Sequence, residues 1–319
     1  MKATCRNTIP RALAIASPLA VIFVALACLE LSMGCVKAQE NKAEKQAASK
    51  IESMAAGQTA EKKWEDFDPN NFGNPAQIDN TYMPMKPGTR YTYEGSTVED
   101  DGTVVPHKVV INVTDLTKVI GGIRSLVTWD LDYSDGELVE AELAFFAQDN
   151  DGNVWRMGEY PEEYDEGKFI DAPTEARAGI MMKAKPATGT PSYSQGWGPA
   201  VDWTDRGQVD QLGVEAAVPA GQYKDVLVIA ETSAAEPEAQ QLKYYAPGVG
   251  NVKVGWRGAG EKTKETLELT KLEQLDAKAM AEVRAAALKL EKHAYEVSKN
   301  VYAHTPALEQ ASSATPVSQ

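Results

Sequence analysis

The sequence predicts a mainly β protein, in which an antiparallel curled sheet or partly closed barrel is followed by a long C-terminal α-helix. Three observations predict this fold class. Between residues 64 and 271, short runs alternate apolar and polar residues, which is the period of a strand. Gly, Pro and Asp-Gly turn signals separate these runs by distances that suit hairpins. After Lys271, apolar residues recur every three or four positions, which is the period of a helix.

The first 38 residues have the pattern of a bacterial export signal. Lys2, Arg6 and Arg11 give a positive start, and residues 12–29 form a nearly unbroken apolar run that small residues follow. This signal peptide, at 1–38, predicts an exported protein of the periplasm or cell envelope.

The signal can end in three ways. Val36-Lys37-Ala38 has small residues where signal peptidase cleaves, and cleavage there would release a soluble protein. Gly34-Cys35 resembles the end of a lipobox, which would make Cys35 the lipidated N-terminus of a lipoprotein. An uncleaved anchor is the third route, because the apolar run is about as long as the lower limit for a membrane span. The sequence leaves these alternatives open.

Composition limits the chemistry of the mature protein. All three cysteines lie within the first 38 residues, so cleavage after Ala38 leaves neither disulfides nor thiol ligands. The whole chain has a net charge of −14, and removal of the signal, with its four basic residues and one acidic residue, makes this −17. Such a surface repels nucleic acid and anionic membranes, so the sequence predicts no nucleic-acid partner. It suits cationic partners or high solubility.

Two segments are predicted between the signal and the helix. Residues 39–63 are rich in Ala, Lys, Glu and Gln, which predicts a flexible tether. The antiparallel β domain is predicted at 64–271. Its clearest strands alternate around Tyr91 and Tyr93, around Val109, Ile111 and Val113, and around Val127, Trp129, Leu131 and Tyr133.

One hairpin has a predicted register. Residues 134–136, Ser-Asp-Gly, suit a three-residue loop, because its glycine can adopt a positive φ. This loop would place Asp130 opposite Glu140 and Thr128 opposite Glu142, on the face away from the apolar side chains.

The C-terminal helix is predicted at 272–303 and a disordered tail at 304–319. Thr270 and Glu273 have the spacing of a capping box, and Pro306 lies beyond the predicted end. The helix either packs along the sheet, which we favour, or binds a protein partner, because the same spacing serves a coiled coil.

Several motifs together resemble a known group of proteins. They are F-D-P at 67–69, P-G-T-R-Y-T-Y-E-G at 87–95, A-Q-D-N-D-G-N-V-W at 147–155, V-P-A-G at 218–221 and Y-Y-A-P-G-V-G at 244–250. The chain resembles a group of exported bacterial proteins and lipoproteins with no settled activity. The motifs cover most of the mature chain, and they are turn and strand patterns. At the level of the fold alone, a curled sheet with a helix is similar to the periplasmic lipoprotein-carrier fold, which implies an interior that holds acyl chains.

Four carboxylates on one face of the hairpin form the candidate metal site: Asp130, Asp132, Glu140 and Glu142. Like charges side by side cost stability unless water or a cation screens them. Carboxylate oxygens suit Ca²⁺, which is the one cofactor that the sequence suggests. An open, hydrated sheet face explains the same pattern without a ligand, and we favour that explanation.

Three tryptophans, at Trp197, Trp203 and Trp256, are candidate ligand-binding residues. Their rings suit the wall of an apolar cavity, and packing in the core is the alternative for each. Residues 149–153, D-N-D-G-N, lack the spacing of an EF-hand loop, so a hairpin turn is predicted there instead.

Function is left among three classes. The sequence has no zinc-ligand spacing, no Gly-x-Ser-x-Gly elbow and no P-loop, so no catalytic residue is predicted. The favoured hypothesis is a non-enzymatic binding or carrier module for an apolar or amphipathic ligand. The alternatives are a structural or assembly protein that uses the C-terminal helix for partners, and a carboxylate-based hydrolase.

Overall fold

The computed structural model describes residues 61–98, 101–171, 177–198, 205–234, 238–261 and 264–311. The export signal with Cys35, most of the predicted tether, and Trp203 lie outside the described residues.

The described residues form fifteen strands and one α-helix. The strands are β1 (Thr89–Val98), β2 (Val104–Ile120), β3 (Ile123–Ser134), β4 (Glu137–Gln148), β5 (Val154–Asp165), β6 (Lys168–Asp171), β7 (Arg177–Met182), β8 (Tyr193–Ser194), β9 (Gly196–Trp197), β10 (Arg206–Val218), β11 (Gly221–Thr232), β12 (Gln240–Ala246), β13 (Gly250–Arg257), β14 (Thr266–Gln274) and β15 (Glu309–Gln310). The helix is α1 (Ala277–Val297).

All the strands belong to one antiparallel sheet, as the alternating pattern predicts. Its order is β8-β10-β11-β12-β13-β14-β1-β2-β3-β4-β5-β7-β9, while β15 pairs with β2 and β6 with β5. Most neighbours follow each other along the chain, so the sheet is largely a meander of hairpins. The described strands do not close into a barrel.

The two ends of this strand order are adjacent along the chain. β8 pairs with β10 and β9 pairs with β7, and only Gln195 separates β8 from β9. Gly179 on β7 permits this approach, because a Cβ there would lie 2.2 Å from the backbone carbon of Gln195. The segment from β8 to β9 therefore links the two end regions of the sheet.

The sheet is curled, because inward side chains from both halves of the strand order share one core. We call this the inner face. Val113 and Leu126 from one half pack in the same buried cluster as Leu227, Ile229 and Leu269 from the other half. Bulges in the pairing of β2 with β3, and of β4 with β5, accompany the curvature.

The opposite, outer face of β2–β5 is covered by α1. Val127 and Leu143 are buried there in a cluster with Ala287, Leu290 and Ala294 of the helix. Both faces of β3 and β4 are thus covered, one by the curl and the other by α1. Among the described residues, no helix is both long enough and apolar enough to span a bilayer.

The helix begins later than its sequence pattern predicts. β14 continues to Gln274, and the N-cap of α1 is Asp276, whose side chain accepts from the Ala279 N–H at 2.8 Å. The capping box predicted at Thr270 and Glu273 is therefore wrong, because both residues lie in β14. A carboxylate at the N-cap satisfies one of the helix's unpaired N–H groups.

Part of the predicted disordered tail is ordered. After α1 the chain makes a short 3-10 turn at Tyr302–His304, and β15 then pairs with β2 through Glu309 opposite Thr117. Leu308 is buried on the outer face, in the same cluster as Val127 and Leu143. The tail is held because its backbone finds partners on β2 that a composition pattern does not reveal.

A buried ion pair joins the helix and this tail to the sheet. The Lys118 side chain on β2 is fully buried, and its Nζ lies 2.7 Å from Glu291 on α1 and 2.6 Å from the carbonyl oxygen of Pro306. The ring of Tyr302 lies 4.2 Å from the same nitrogen. Glu291 also accepts from the N–H of Leu308 at 2.9 Å. These contacts compensate both buried charges.

The hairpin of β3 and β4 has a different register from the predicted one. Ser134 pairs with Glu137 across a two-residue turn in which Asp135 and Gly136 both have positive φ, at 49° and 84°. A further shift follows between Asp132 and Tyr133. The pairs of Ser134 and Tyr133 are therefore displaced by one residue, and those from Asp132 onwards by two. Because two is an even number, the side chains of those later pairs keep the faces that alternation assigned to them.

Breaking the Lys118–Glu291 pair on one side tests how the helix is attached. Glu291→Gln leaves the Lys118 charge buried and is expected to lower the free energy of unfolding by about 3–5 kcal/mol. Arg124→Gln, which removes the exposed pair between Arg124 and Glu309, is the matched control and should cost less than about 1 kcal/mol. Urea unfolding measures both, and equal losses in the two variants would contradict the assignment.

Candidate functional site

The candidate site is a cavity of about 180 Å³ against the inner face of the sheet. Both halves of the strand order contribute to its wall. Part of that wall is apolar or aromatic, with Met83, Met85, Tyr91, Tyr93, Phe146 and Met181, and part is charged, with Asp130, Arg156 and Lys243. The cavity thus combines an apolar surface with ionised groups, the combination that orients small ligands.

Turns that carry the sequence resemblance surround this cavity. Tyr91, from the motif at 87–95, donates its hydroxyl proton to the carbonyl oxygen of Val249 at 2.9 Å. Tyr93 donates likewise to Asn251 at 2.9 Å. Gly250 and Asn251, where β13 begins, line the cavity beside them. The two tyrosine hydroxyls therefore fix the β12–β13 turn against the cavity wall.

One guanidinium holds the charged part of the wall together. Arg156 on β5 forms ion pairs with Glu142 on β4 and with Glu159 on its own strand. Asp130 lies directly opposite Glu142 in the pairing of β3 with β4. The neighbouring strands β3, β4 and β5 thus place carboxyl groups around the single guanidinium of Arg156, and the Arg156, Glu142 and Glu159 side chains are mostly shielded from solvent.

The crowding of these carboxyls changes their acidity. Burial, with a further contribution from Glu142, raises the pKa of Glu140 to about 8 and that of Asp130 well above its ordinary value. Burial also raises the pKa of Glu159 to about 7, although Arg156 opposes the rise. Each charged carboxylate is disfavoured by lost hydration and by its like-charged neighbours.

A second ion pair lies across the curl. Lys243 on β12 is 3.0 Å from Glu231 on β11, and the side-chain amide of Gln195 donates to the same carboxylate at 2.6 Å. Burial lowers the pKa of Lys243, but Glu231 more than offsets this, so the pKa is raised overall. Lys243 is therefore a cation that already has a partner.

His107 forms a third buried contact between carboxylates. Its Nε2 lies 2.7 Å from Asp132, and its Nδ1 lies 3.1 Å from Glu265, where the alignment is too poor for a hydrogen bond. Burial lowers the pKa of His107, but the two carboxylates outweigh it and raise the pKa to about 10. The ring is accordingly a structural imidazolium at neutral pH.

The four predicted metal-site carboxylates do share one face, but their pairs differ from the prediction. Asp130 lies opposite Glu142, and Asp132 opposite Glu140. The open, hydrated face favoured from the sequence is not what the structure shows, since all four side chains are at least partly buried on the inner face. Within the described ranges, no three His, Cys, Asp or Glu side chains are arranged to hold a metal ion. Ca²⁺ at this cluster stays a hypothesis from the sequence.

Two of the predicted tryptophans, Trp197 and Trp256, are described, and they do not line the cavity, while Trp203 lies outside the described residues. Trp197 on β9 packs edge-on against Trp64, with ring centroids 6.0 Å apart. Trp256 on β13 is 37 % exposed, and the Lys264 ammonium lies 5.7 Å from its ring. The structure therefore does not bring these two residues together.

The D-N-D-G-N segment is a hairpin turn between β4 and β5, as predicted. The carboxylate of Asp149 accepts from the backbone N–H groups of Asp151 and Asn153, and from the ring N–H of Trp155 at 2.9 Å. The side chain of Asn150 accepts from Gly73 N–H at 2.9 Å. The acidic side chain that sets this turn is already occupied by protein donors.

Comparisons with known proteins give no family. No protein-family model matches the chain, and no curated protein matches it. A Bacteroides fragilis protein assigned as exported, with a YmcC-like fold, is similar at a TM-score of 0.34 and 12 % identity, over 61 % of this chain and 99 % of its own. A Parabacteroides distasonis protein assigned as a lipoprotein is similar at a TM-score of 0.31 and 12 % identity, over 62 % and 100 % respectively.

Arg156 and Lys243 are the site residues that sequence reasoning missed. Arg156 lies two residues after Val154, whose side chain is in the inner core, so alternation places a cation at an inward position. Lys243 lies two residues before the inward Tyr245 in the same way. An inward basic residue on each of two strands was the signal available.

The raised carboxyl pKa values predict a stability that falls as pH rises. The pKa of Glu140 is about 8 in the folded protein and about 4.3 in the unfolded chain. The protonated carboxyl therefore stabilises the fold fully below about pH 4.3, and this contribution is lost as the pH rises towards 8. From pH 5 to pH 8 the free energy of unfolding should fall by about 1–3 kcal/mol. His107, with its raised pKa, adds to the decline above pH 6.5.

Glu140→Gln should flatten this decline, because the neutral amide does not titrate. Glu137→Gln, at an exposed end of the same hairpin, is the matched control and should leave the slope unchanged. Thermal unfolding between pH 5 and pH 8.5 measures both variants. A wild-type midpoint that rises over this range would contradict the assignment.

Proposed function

We propose that this protein is an exported, non-enzymatic binding module of the cell envelope, and that it holds a small amphipathic ligand in the inner cavity. The observation that carries the proposal is the wall of that cavity, where apolar side chains such as Met181 and Phe146 lie beside Asp130. An apolar surface supplies affinity, while a few fixed polar groups supply orientation.

The size of the cavity restricts the ligand. Ligand pockets for drug-sized molecules have volumes of about 300–1,000 Å³, and this cavity measures about 180 Å³. Most of the inside of the curl is filled by packed side chains such as Leu227 and Leu269. The proposed ligand therefore has only a few carbon atoms, and the acyl chain implied by the lipoprotein-carrier resemblance is too large for this space.

The alternatives have less support. Val283, Ala287, Leu290 and Ala294 form the apolar stripe of α1 and are buried, so the surface on which the assembly hypothesis rests is occupied by the sheet. For the hydrolase, two of the four carboxyls of the cluster already have basic partners, since Glu142 pairs with Arg156 and Asp132 with His107.

Export is supported by the N-terminal sequence, and it is tested by the mass of the mature chain. Expression in a bacterium with both signal peptidases should yield a chain without the first 38 residues, or a lipidated chain that begins at Cys35. Intact-protein mass spectrometry separates these outcomes. Recovery of the full-length chain in the cytoplasm would contradict export.

Filling the cavity tests the binding module. Ile111 lines the cavity, while Val110 points to the opposite face of the same strand. Ile111→Phe is expected to abolish the rise in thermal midpoint that millimolar 1-pentanol or n-pentylammonium gives the wild-type protein, since ligand bound only to the native state stabilises it. Val110→Phe, the matched control, should keep that rise. Equal responses in all three proteins would contradict binding in the cavity.

A further inference from the structure

We propose that the ligand of this cavity is a small organic cation, an alkylammonium whose nitrogen lies against Asp130 and whose hydrocarbon chain lies among the methionines of the wall. The inference rests on the proposed function, because it assigns a ligand class to the same cavity. It is carried by four features of the wall: an unsatisfied acceptor, bases that already have partners, aromatic rings and the cavity volume.

The first feature is an unsatisfied acceptor. Oδ1 of Asp130 is buried and has no hydrogen-bond partner within the described part of the chain, whereas Oδ2 accepts from the Thr128 hydroxyl at 3.2 Å. A buried polar atom without a partner is costly in folded proteins. Asp130 also lines the cavity, so a donor placed there by a ligand satisfies this oxygen.

The second feature is the pairing of the bases. The wall carries two bases and one carboxyl, but Arg156 already pairs with Glu142 and Glu159, and Lys243 with Glu231. No ion pair of Asp130 occurs among the described residues. Asp130 is therefore the ionisable group of the wall with which a ligand cation can pair.

The third feature is the remainder of the wall. Rings of Tyr91, Tyr93 and Tyr245 line the same cavity, and aromatic rings attract ammonium groups. Met83 and Met181 supply flexible thioether surface that adapts to a short hydrocarbon chain. A simple inorganic cation makes no use of these side chains.

The fourth feature is size. At about 30 Å³ for each water-sized group, 180 Å³ holds roughly six such groups. A five-carbon alkylammonium has six non-hydrogen atoms and matches this volume, and its isosteric alcohol has the same size without the charge.

Binding of this ligand is linked to the ionisation of Asp130. Burial raises the pKa of Asp130 well above its ordinary value, Glu142 and Glu140 add to the rise, and Arg156 opposes it. An adjacent ammonium favours the ionised carboxylate, so binding transfers the carboxyl proton to the solvent. The other charged groups nearby are Asp132 on the same strand, Glu159 on β5 and Lys243 on β12.

The experiment compares n-pentylammonium with 1-pentanol by titration calorimetry on the mature protein at pH 8 in low salt. The wild-type protein is expected to bind the cation at least tenfold more tightly than the alcohol. Asp130→Asn keeps the side-chain shape and should lose that preference, while it still binds 1-pentanol, which reports an intact cavity. Asp135→Asn, in the exposed turn of the same hairpin, should leave both affinities unchanged.

The other outcomes separate the ligand class from the proposed function. If both compounds bind with equal affinity and Asp130→Asn changes neither affinity, the assignment of an organic cation is contradicted, but the proposal of a binding module is not. If neither compound binds, the proposed function itself is overturned. If Ca²⁺ raises the thermal midpoint and displaces n-pentylammonium from the wild-type protein, the occupant is a metal ion and the organic cation is overturned.

Discussion

The guanidinium of Arg156 is the contact on which the inside of this sheet depends. Carboxylates from β3, β4 and β5 converge there, and two of them, Glu142 and Glu159, pair directly with this one cation. Without it, several like charges would face each other in a space with little water, at a cost of several kcal/mol. Arginine suits the position because its planar group keeps its charge when buried and accepts several partners at once. The strands can therefore carry a charged wall and still pack.

The neighbouring strand β2 carries a second ionic centre on the outer face of the sheet. Lys118 and Glu291 hold the helix and the tail against the outer face, while Arg156 organises the inner face. Neither centre is exposed, so each depends on full pairing rather than on solvent. Covering β3 and β4 from both sides gives the cavity a backing layer that a single-layered sheet would lack. The helix thus supports the cavity wall without lining the cavity.

Alternation along the chain was enough to predict the fold class and the faces of the strands. It assigned Asp130 and Glu142 to one face correctly, although the turn at Asp135 and the shift after Asp132 together displaced their pairing by two residues. Alternation could not show which face lies inside, because β3 and β4 are apolar towards the helix and mixed towards the curl. Lys118 and Glu291 are 173 residues apart, so no local pattern links them. The cavity itself depends on such distant contacts, so alternation could mark Arg156 and Lys243 as inward bases but could not place them in one site.

Gln195 limits the width of the interior, because it is the single residue between β8 and β9. β8 pairs with β10 and β9 pairs with β7, so the width of the curl depends on this link and on the number of strands between β7 and β10. The side chain of Gln195 also donates a hydrogen bond to Glu231, which pairs with Lys243. The link between β8 and β9 is therefore attached to the cavity wall. A wider interior would require the contacts of Gln195, or the backbone hydrogen bonds between two strands, to break. The number of strands and this one-residue link therefore limit the width of the interior.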